Sequence, residues 1–161
     1  MSDAAVPPLR TEFLTHFTIE AEPGLEVGKT THGWRRVDRV LNATFQGPRF
    51  SGVLIEATDP VVAMRDDSAR LDVRMILRTD DGVLVQMTYD GIVAGPKKVM
   101  KRIGRREVVD ASEYYMRTAV QFECGDPRYR WLNDSLCVAT GRLLVFPSGA
   151  FGDHYNVYRV L

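Results

Sequence analysis

Residues 113–133 read EYYMRTAVQFECGDPRYRWLN, and their patterning sets the reading of the whole chain. Up to Glu123 the residues alternate. Tyr114, Met116, Thr118, Val120 and Phe122 fall on one side, and Tyr115, Arg117, Ala119, Gln121 and Glu123 on the other. A period of two marks an extended strand with one apolar and one polar face. The strand stops at Gly125-Asp126-Pro127, where Asp126 suits a helix cap and Pro127 the first helical position. Asn133 tolerates the left-handed conformation that ends a helix. Tyr129 and Leu132, three apart, would share a face of that short helix, with Trp131 beside it. Two readings compete: a substrate loop built on aromatics and arginines, or a plug whose apolar face closes one end of a sheet while Arg128 and Arg130 point to solvent. The spacing fits the plug better.

The same alternation recurs along most of the chain. Runs at Glu12–Glu22, Trp34–Phe45, Phe50–Thr58, Ala69–Arg78, Val83–Val93, Glu113–Glu123, Ser135–Phe146 and His154–Val160 all read as strands, separated by Gly, Pro, Asp and Asn. Asp80-Asp81-Gly82 is a tight hairpin turn, with Gly82 supplying the positive φ. In the long connection 94–111, Pro96 can start a short helix and Gly104 end it. Lys97, Lys98, Lys101, Arg102 and Arg105 then form a solvated face rather than a phosphate site, since no Gly-rich cradle accompanies them. With no repeat visible, eight short strands leave a sandwich or a closed antiparallel barrel.

At 161 residues the chain is read as one domain over 1–161, with residues 1–10 a flexible N-terminus. Its 21 basic and 21 acidic residues cancel, so no global field points to nucleic acid or to a membrane surface as partner. The N-terminus has no basic segment followed by an apolar run, and no stretch has the apolar length of a membrane helix, so the expected location is cytoplasmic. Cys124 and Cys137 lack metal or redox spacing and read as buried free thiols. His16, His32 and His154 are scattered, so no metal is expected, and the absence of a G-x-S-x-G, a P-loop or a G-x-G-x-x-G motif leads to an expectation of no cofactor.

The stretch Glu113–Asn133 resembles the signature of a small bacterial and fungal family catalogued as domain of unknown function thirty-two thirty-seven. Its members commonly carry similar Tyr-Tyr-aromatic-Arg-Thr, Phe-Glu-Thr-Gly-Asp-Pro and Trp-Leu-Asn strings. The resemblance extends to Gly47-Pro48-Arg49-Phe50-Ser51-Gly52, to Leu71-Asp72-x-Arg74 with Leu77-Arg78-Thr79-Asp80-Asp81-Gly82, and to Tyr155-Asn156-Val157-Tyr158. It implies a single antiparallel β-barrel, lipocalin-like or allene-oxide-cyclase-like, with a central cavity, one or two short helices, and self-association as a homodimer or larger homo-oligomer. Some fungal relatives act as cofactor-free cyclases on aromatic polyketides. The chain departs from the family pattern at Asn42-Ala43, at Ile55–Pro60, at Tyr89 and at Asn156, so no relative's substrate transfers.

In a barrel, charged strand faces that turn inward would make a site. Asp72 and Arg74 share a face of one strand, and Arg117 lies on the charged face of another. If those faces converge, Arg74 and Arg117 bind or polarise a substrate oxygen while a carboxylate moves protons; otherwise they form a structural salt-bridge network. Glu56 and Asp59 are the alternative proton donors. Tyr89, Tyr115, Tyr155 and Tyr158 offer phenols to orient a ligand, and His154 suits a pocket-mouth acid/base. The reading is therefore a cofactor-independent lyase, isomerase or cyclase acting on a small, partly aromatic ligand. The alternative is a noncatalytic small-molecule-binding barrel.

Overall fold

The computed structural model describes residues 6–65 and 68–161, with side chains described outside 58–67. Residues 1–5 of the segment read as flexible lie outside the described residues. Eight antiparallel strands form the fold: β1 (Thr11–Thr30), β2 (Gly33–Gln46), β3 (Gly52–Arg65), β4 (Ser68–Thr79), β5 (Leu84–Ala94), β6 (Tyr115–Glu123), β7 (Cys137–Val145) and β8 (Phe151–Val160). Each strand pairs with the next, and β1 pairs with β8 from Thr11 opposite Val160 to Ala21 opposite Phe151, which closes the barrel.

The strand bounds differ from the sequence reading mainly at one end of the barrel. β1 continues past Glu22 to Thr30 although Pro23 and Gly24 interrupt it. Register shifts against β2 at Glu20/Ala21, Glu22/Leu25 and Glu26/Gly28 absorb the interruption as bulges. β8 begins at Phe151 because Phe151, Gly152 and Asp153 pair with Val145, Leu144 and Leu143. The hairpin at 79–83 forms as read: Gly82 has φ 87° and donates its N–H to the Thr79 carbonyl at 2.9 Å.

Alternation sorts the side chains by face. Phe17, Ile19, Phe45, Met75, Leu77, Val85, Met87, Met116, Val120, Tyr155 and Val157 all point inward and are almost fully buried. At one end Phe50 packs tilted on Phe45 and edge-on to Phe122, and Tyr129 meets Phe50 edge-on with centroids 6.1 Å apart. The 3-10 helix Pro127–Leu132 lies over them with Leu132 sealed into the core, so the opening stretch is a plug. Asp126 caps this helix by accepting the Arg128 N–H. Asn133 corrects one detail: its φ is −63°, right-handed. Its side chain instead accepts the Cys124 N–H at 2.7 Å and donates to the Cys124 carbonyl at 2.9 Å, tying the end of the plug to the end of β6. Both thiols are free and buried, and burial pushes the Cys137 thiol up to about 11.

The helix α1 (Lys97–Gly104) follows Pro96 and lies at the opposite end, where β5 ends and β6 begins. Val99 and Met100 turn into the barrel while Lys97, Lys98 and Lys101 stay exposed. No helix among the described residues is long and apolar enough to cross a membrane.

Candidate functional site

The barrel is open only partway beneath α1. A cavity of about 130 Å³ remains there, walled by Ala69, Leu71, Val93, Met100, Ile103 and Leu143 and by a small polar group: Arg36, Asp38 and Asp153. That volume holds about four waters, or a ligand of about one small ring.

The polar group comes from two strands. On β8 the inward set is Phe151, Asp153, Tyr155 and Val157, so a single acid interrupts an otherwise apolar face. On β2, Arg36 and Asp38 are two apart and likewise point inward. Arg36 Nη2 donates to Asp38 Oδ2 at 2.7 Å, and its Nε sits 2.5 Å from Oδ1, off the line of a hydrogen bond. This pair neutralises itself, with Asp38 only 6% exposed.

Among the described residues Asp153 has no cationic partner of this kind. Protein surrounds its carboxyl, although part of the side chain faces the cavity, and burial pushes its pKa up to about 7. A hydrogen-bonding interaction with Tyr155 limits the rise and the neighbouring Asp38 charge adds to it. Tyr155, 1% exposed, stands behind Asp153, and its ring packs against Tyr89 with centroids 5.5 Å apart. Burial, then the Asp153 charge, push the Tyr155 phenol far up, and the same two causes raise Tyr89. The Tyr155 hydroxyl interacts with Asp153 and Tyr89 only loosely and closes no hydrogen bond of ordinary geometry. Gly141 on β7 makes room for this ring: a Cβ there would lie 2.7 Å from Tyr155 Cε1 and 2.8 Å from Met116 Cγ.

The charged faces do not converge inside the barrel. Asp72 and Arg74 pair with each other at 3.2 Å on the outer face of β4, each about half exposed. Arg117 is also outside, stacked on exposed Tyr115 at 4.9 Å and donating to the Met116 carbonyl. Asp72, Arg117 and Tyr115 share an open groove with Arg35, Arg70 and Asp90 on the outside of β4–β6. The reason is ordinary: in a barrel filled with apolar side chains, the charged face of each strand takes the water side. Glu56 follows a register shift in β3 and is exposed. The side chain of Asp59 lies outside the described residues.

His154 and Tyr158 also face out. His154 Nδ1 is 3.2 Å from Thr18 Oγ1 and its ring stacks on His16 at 5.6 Å. Partial burial and then Arg142 push its pKa down. Tyr158 meets Phe13 edge-on, and Asn156 bonds His16 at 2.6 Å. Of the singled-out residues whose side chains are described, Tyr89 and Tyr155 alone belong to the interior group. Arg36, Asp38 and Asp153 were missed: Asp153 sits in the apolar set of β8, but on β2 the register shift at Glu20/Ala21 turns Arg36 and Asp38 inward although alternation from Ala43 and Phe45 would place them outside. Among the described residues no three His, Cys, Asp or Glu side chains gather as a metal site would require.

Comparison with known proteins places this barrel. The sequence model of the family described as "Protein of unknown function (DUF3237)" matches residues 9–160. The chain belongs to the DUF3237 family. A UPF0311 protein from Rhodopseudomonas palustris is 33% identical over 137 residues, which cover 83% of this chain and 88% of that one. The crystal structure of that conserved protein of unknown function superposes with a TM-score of 0.88 at 28% identity, covering 97% of this chain and all of the other. A β-barrel-like protein from Acinetobacter baumannii superposes at 0.79 with 26% identity, covering 99% of this chain and 100% of its own. A more distant structure, described as an enzyme from Penicillium herquei, superposes with a TM-score of 0.66 at 16% identity over 97% and 99% of the two chains.

Proposed function

We propose that this protein is a cofactor-independent acid/base enzyme of the lyase, isomerase or cyclase kind, acting on a small, partly aromatic metabolite held in the cavity beneath α1. One observation carries the reading: a carboxyl with no ion pair among the described residues, its pKa pushed up to about 7, faces a largely apolar cavity. At neutral pH such a group exists in both forms, so it can give a proton to one substrate atom and take one from another. The acid donates from its neutral form and leaves as a carboxylate. Tyr155 then stabilises that carboxylate, because its interaction favours the ionised form. Tyr155 stays protonated throughout and is a positioning residue, since it is not part of the cavity wall. The Arg36–Asp38 pair presents a fixed dipole to a substrate oxygen beside Asp153. The acid/base chemistry expected of Asp72 and Arg117 thus moves to Asp153 and Arg36. The enzyme label of the Penicillium herquei protein supports this reading at the level of fold analogy alone.

The test is solvent exchange. The protein is incubated in D₂O with a panel of small enones and phenolic enones, and proton NMR follows deuterium uptake or conversion. Wild type should catalyse one or both with at least one panel member, and Asp153→Asn should slow it by about 10²-fold or more. Saturable binding with no exchange and no conversion would instead assign the cavity to a noncatalytic binding barrel.

A further inference from the structure

Arg106 stands at the rim of the cavity, just past the C-terminus of α1, with φ 60°. It is the one non-glycine residue with positive φ among the described residues. The position is the left-handed residue after a helix end, where its N–H bonds to the Ile103 carbonyl at 2.9 Å, and glycine is the usual occupant because a side chain there is strained. Helix electrostatics do not call for Arg106, since Lys101 and Arg102 already occupy the last turn. An outlier of this kind that the fold could avoid points to use of the side chain.

The exposed side chain lies along the rim. Its guanidinium lies over the Phe151 ring at 5.0 Å from the centroid, and Arg36 approaches the same ring at 5.9 Å. Three nearby arginines are paired: Arg36 with Asp38, Arg102 with Glu107 and Glu113, and Arg105 with Glu107. Among the described residues Arg106 has no acidic partner within ion-pair distance. A cation held by an aromatic ring borders a largely apolar cavity whose inner polar residues are Asp153 and the paired Arg36 and Asp38, while Glu107 at the rim is engaged by Arg102 and Arg105.

We infer that Arg106 is an anion subsite, and that the ligand is a small apolar-bodied carboxylate whose carboxylate pairs with Arg106 at the rim while its reactive end lies toward Asp153. A planar guanidinium with free donors matches a carboxylate fork, and the walls formed by Leu71, Val93, Met100, Ile103 and Leu143 take the apolar body. This rests on the cavity proposed above being the working site and names its substrate class.

The experiment measures binding of trans-cinnamate and of its neutral amide, trans-cinnamamide, to the full chain by calorimetry at about pH 6, where Asp153 is mostly neutral. Wild type should bind cinnamate about tenfold more tightly or better, with the preference shrinking as salt rises. Arg106→Gln should bring the two within about twofold, and Arg106→Lys should keep part of the preference. Arg106→Gly relieves the backbone, so it should lose the preference yet melt at least as high as wild type, which separates binding from folding. Asp153→Asn should keep the preference while losing solvent exchange, so failure of acid/base catalysis and failure of the anion subsite read out separately. Equal binding of acid and amide, no binding of either, or a preference that survives Arg106→Gln would overturn the inference.

Discussion

A carboxylic acid that titrates near neutrality inside a barrel ties folding stability to pH in a fixed direction. The Asp153 pKa is about 7 in the folded chain against an ordinary value of 3.8. Between those values the folded state binds the proton more tightly than the unfolded one. The stability linked to this proton is therefore fully present below about pH 4, falls as pH rises, and is gone above about pH 7, a span of roughly 4 kcal/mol. Asp153→Asn removes this titration, so its melting temperature should fall less than that of wild type between about pH 5 and pH 8. Parallel curves would place the Asp153 carboxyl in water. The exposed Asp72, Arg74 and Arg117 make the opposite case. Alanine at Asp72 or Arg117 should shift stability by no more than about 0.5 kcal/mol and leave cavity binding unchanged, as a melt and a titration would check. These residues drew attention in the sequence because charge is conspicuous on an alternating strand. The informative charge is the one in the apolar set, Asp153 among Phe151, Tyr155 and Val157, and it can be found only after deciding which set faces in. Single-strand alternation does not decide that for β8, where half-buried residues occur on both faces.

The strands, the Gly82 hairpin, α1 after Pro96 and the capped helix after Asp126 all follow from local patterning, and the structure carries each of them. Their ends were less legible, because bulges in β1 and pairing partners for β8 come from distant strands. Two substitutions probe how elements serve the site. Gly141→Ala drives a methyl into the Tyr155 ring and Met116, and it should cost about 1–3 kcal/mol. Because Tyr155 backs Asp153, the same change should also move the Asp153 pKa, which a mere packing defect elsewhere would not do. At the plugged end, Leu132→Ala leaves a hole under the 3-10 helix and should cost about 2–5 kcal/mol in a denaturant melt, with the cavity beneath α1 still binding its ligand. Loss of binding with little loss of stability would mean the plug does not act independently of the mouth.

At the scale of the molecule, closure was the feature that alternation could not supply. A sandwich and a barrel share the same strand signals, and the decisive contact, β1 against β8, joins the two ends of the chain. Similarity to a known family pointed to a barrel, and the closed sheet agrees. Closure also explains the division of labour between the ends: aromatics and Leu132 seal one, while α1 and Arg106 border a small cavity at the other. The proposed chemistry depends on the protonation of one group in that cavity, Asp153. Carbon-13 NMR of the Asp side-chain carboxyl carbons, with Asp153→Asn to assign the signal, measures it directly. A midpoint within about one unit of pH 7 is predicted; a midpoint near the ordinary value of 3.8 would show a solvated carboxylate and contradict both the site and the function built on it.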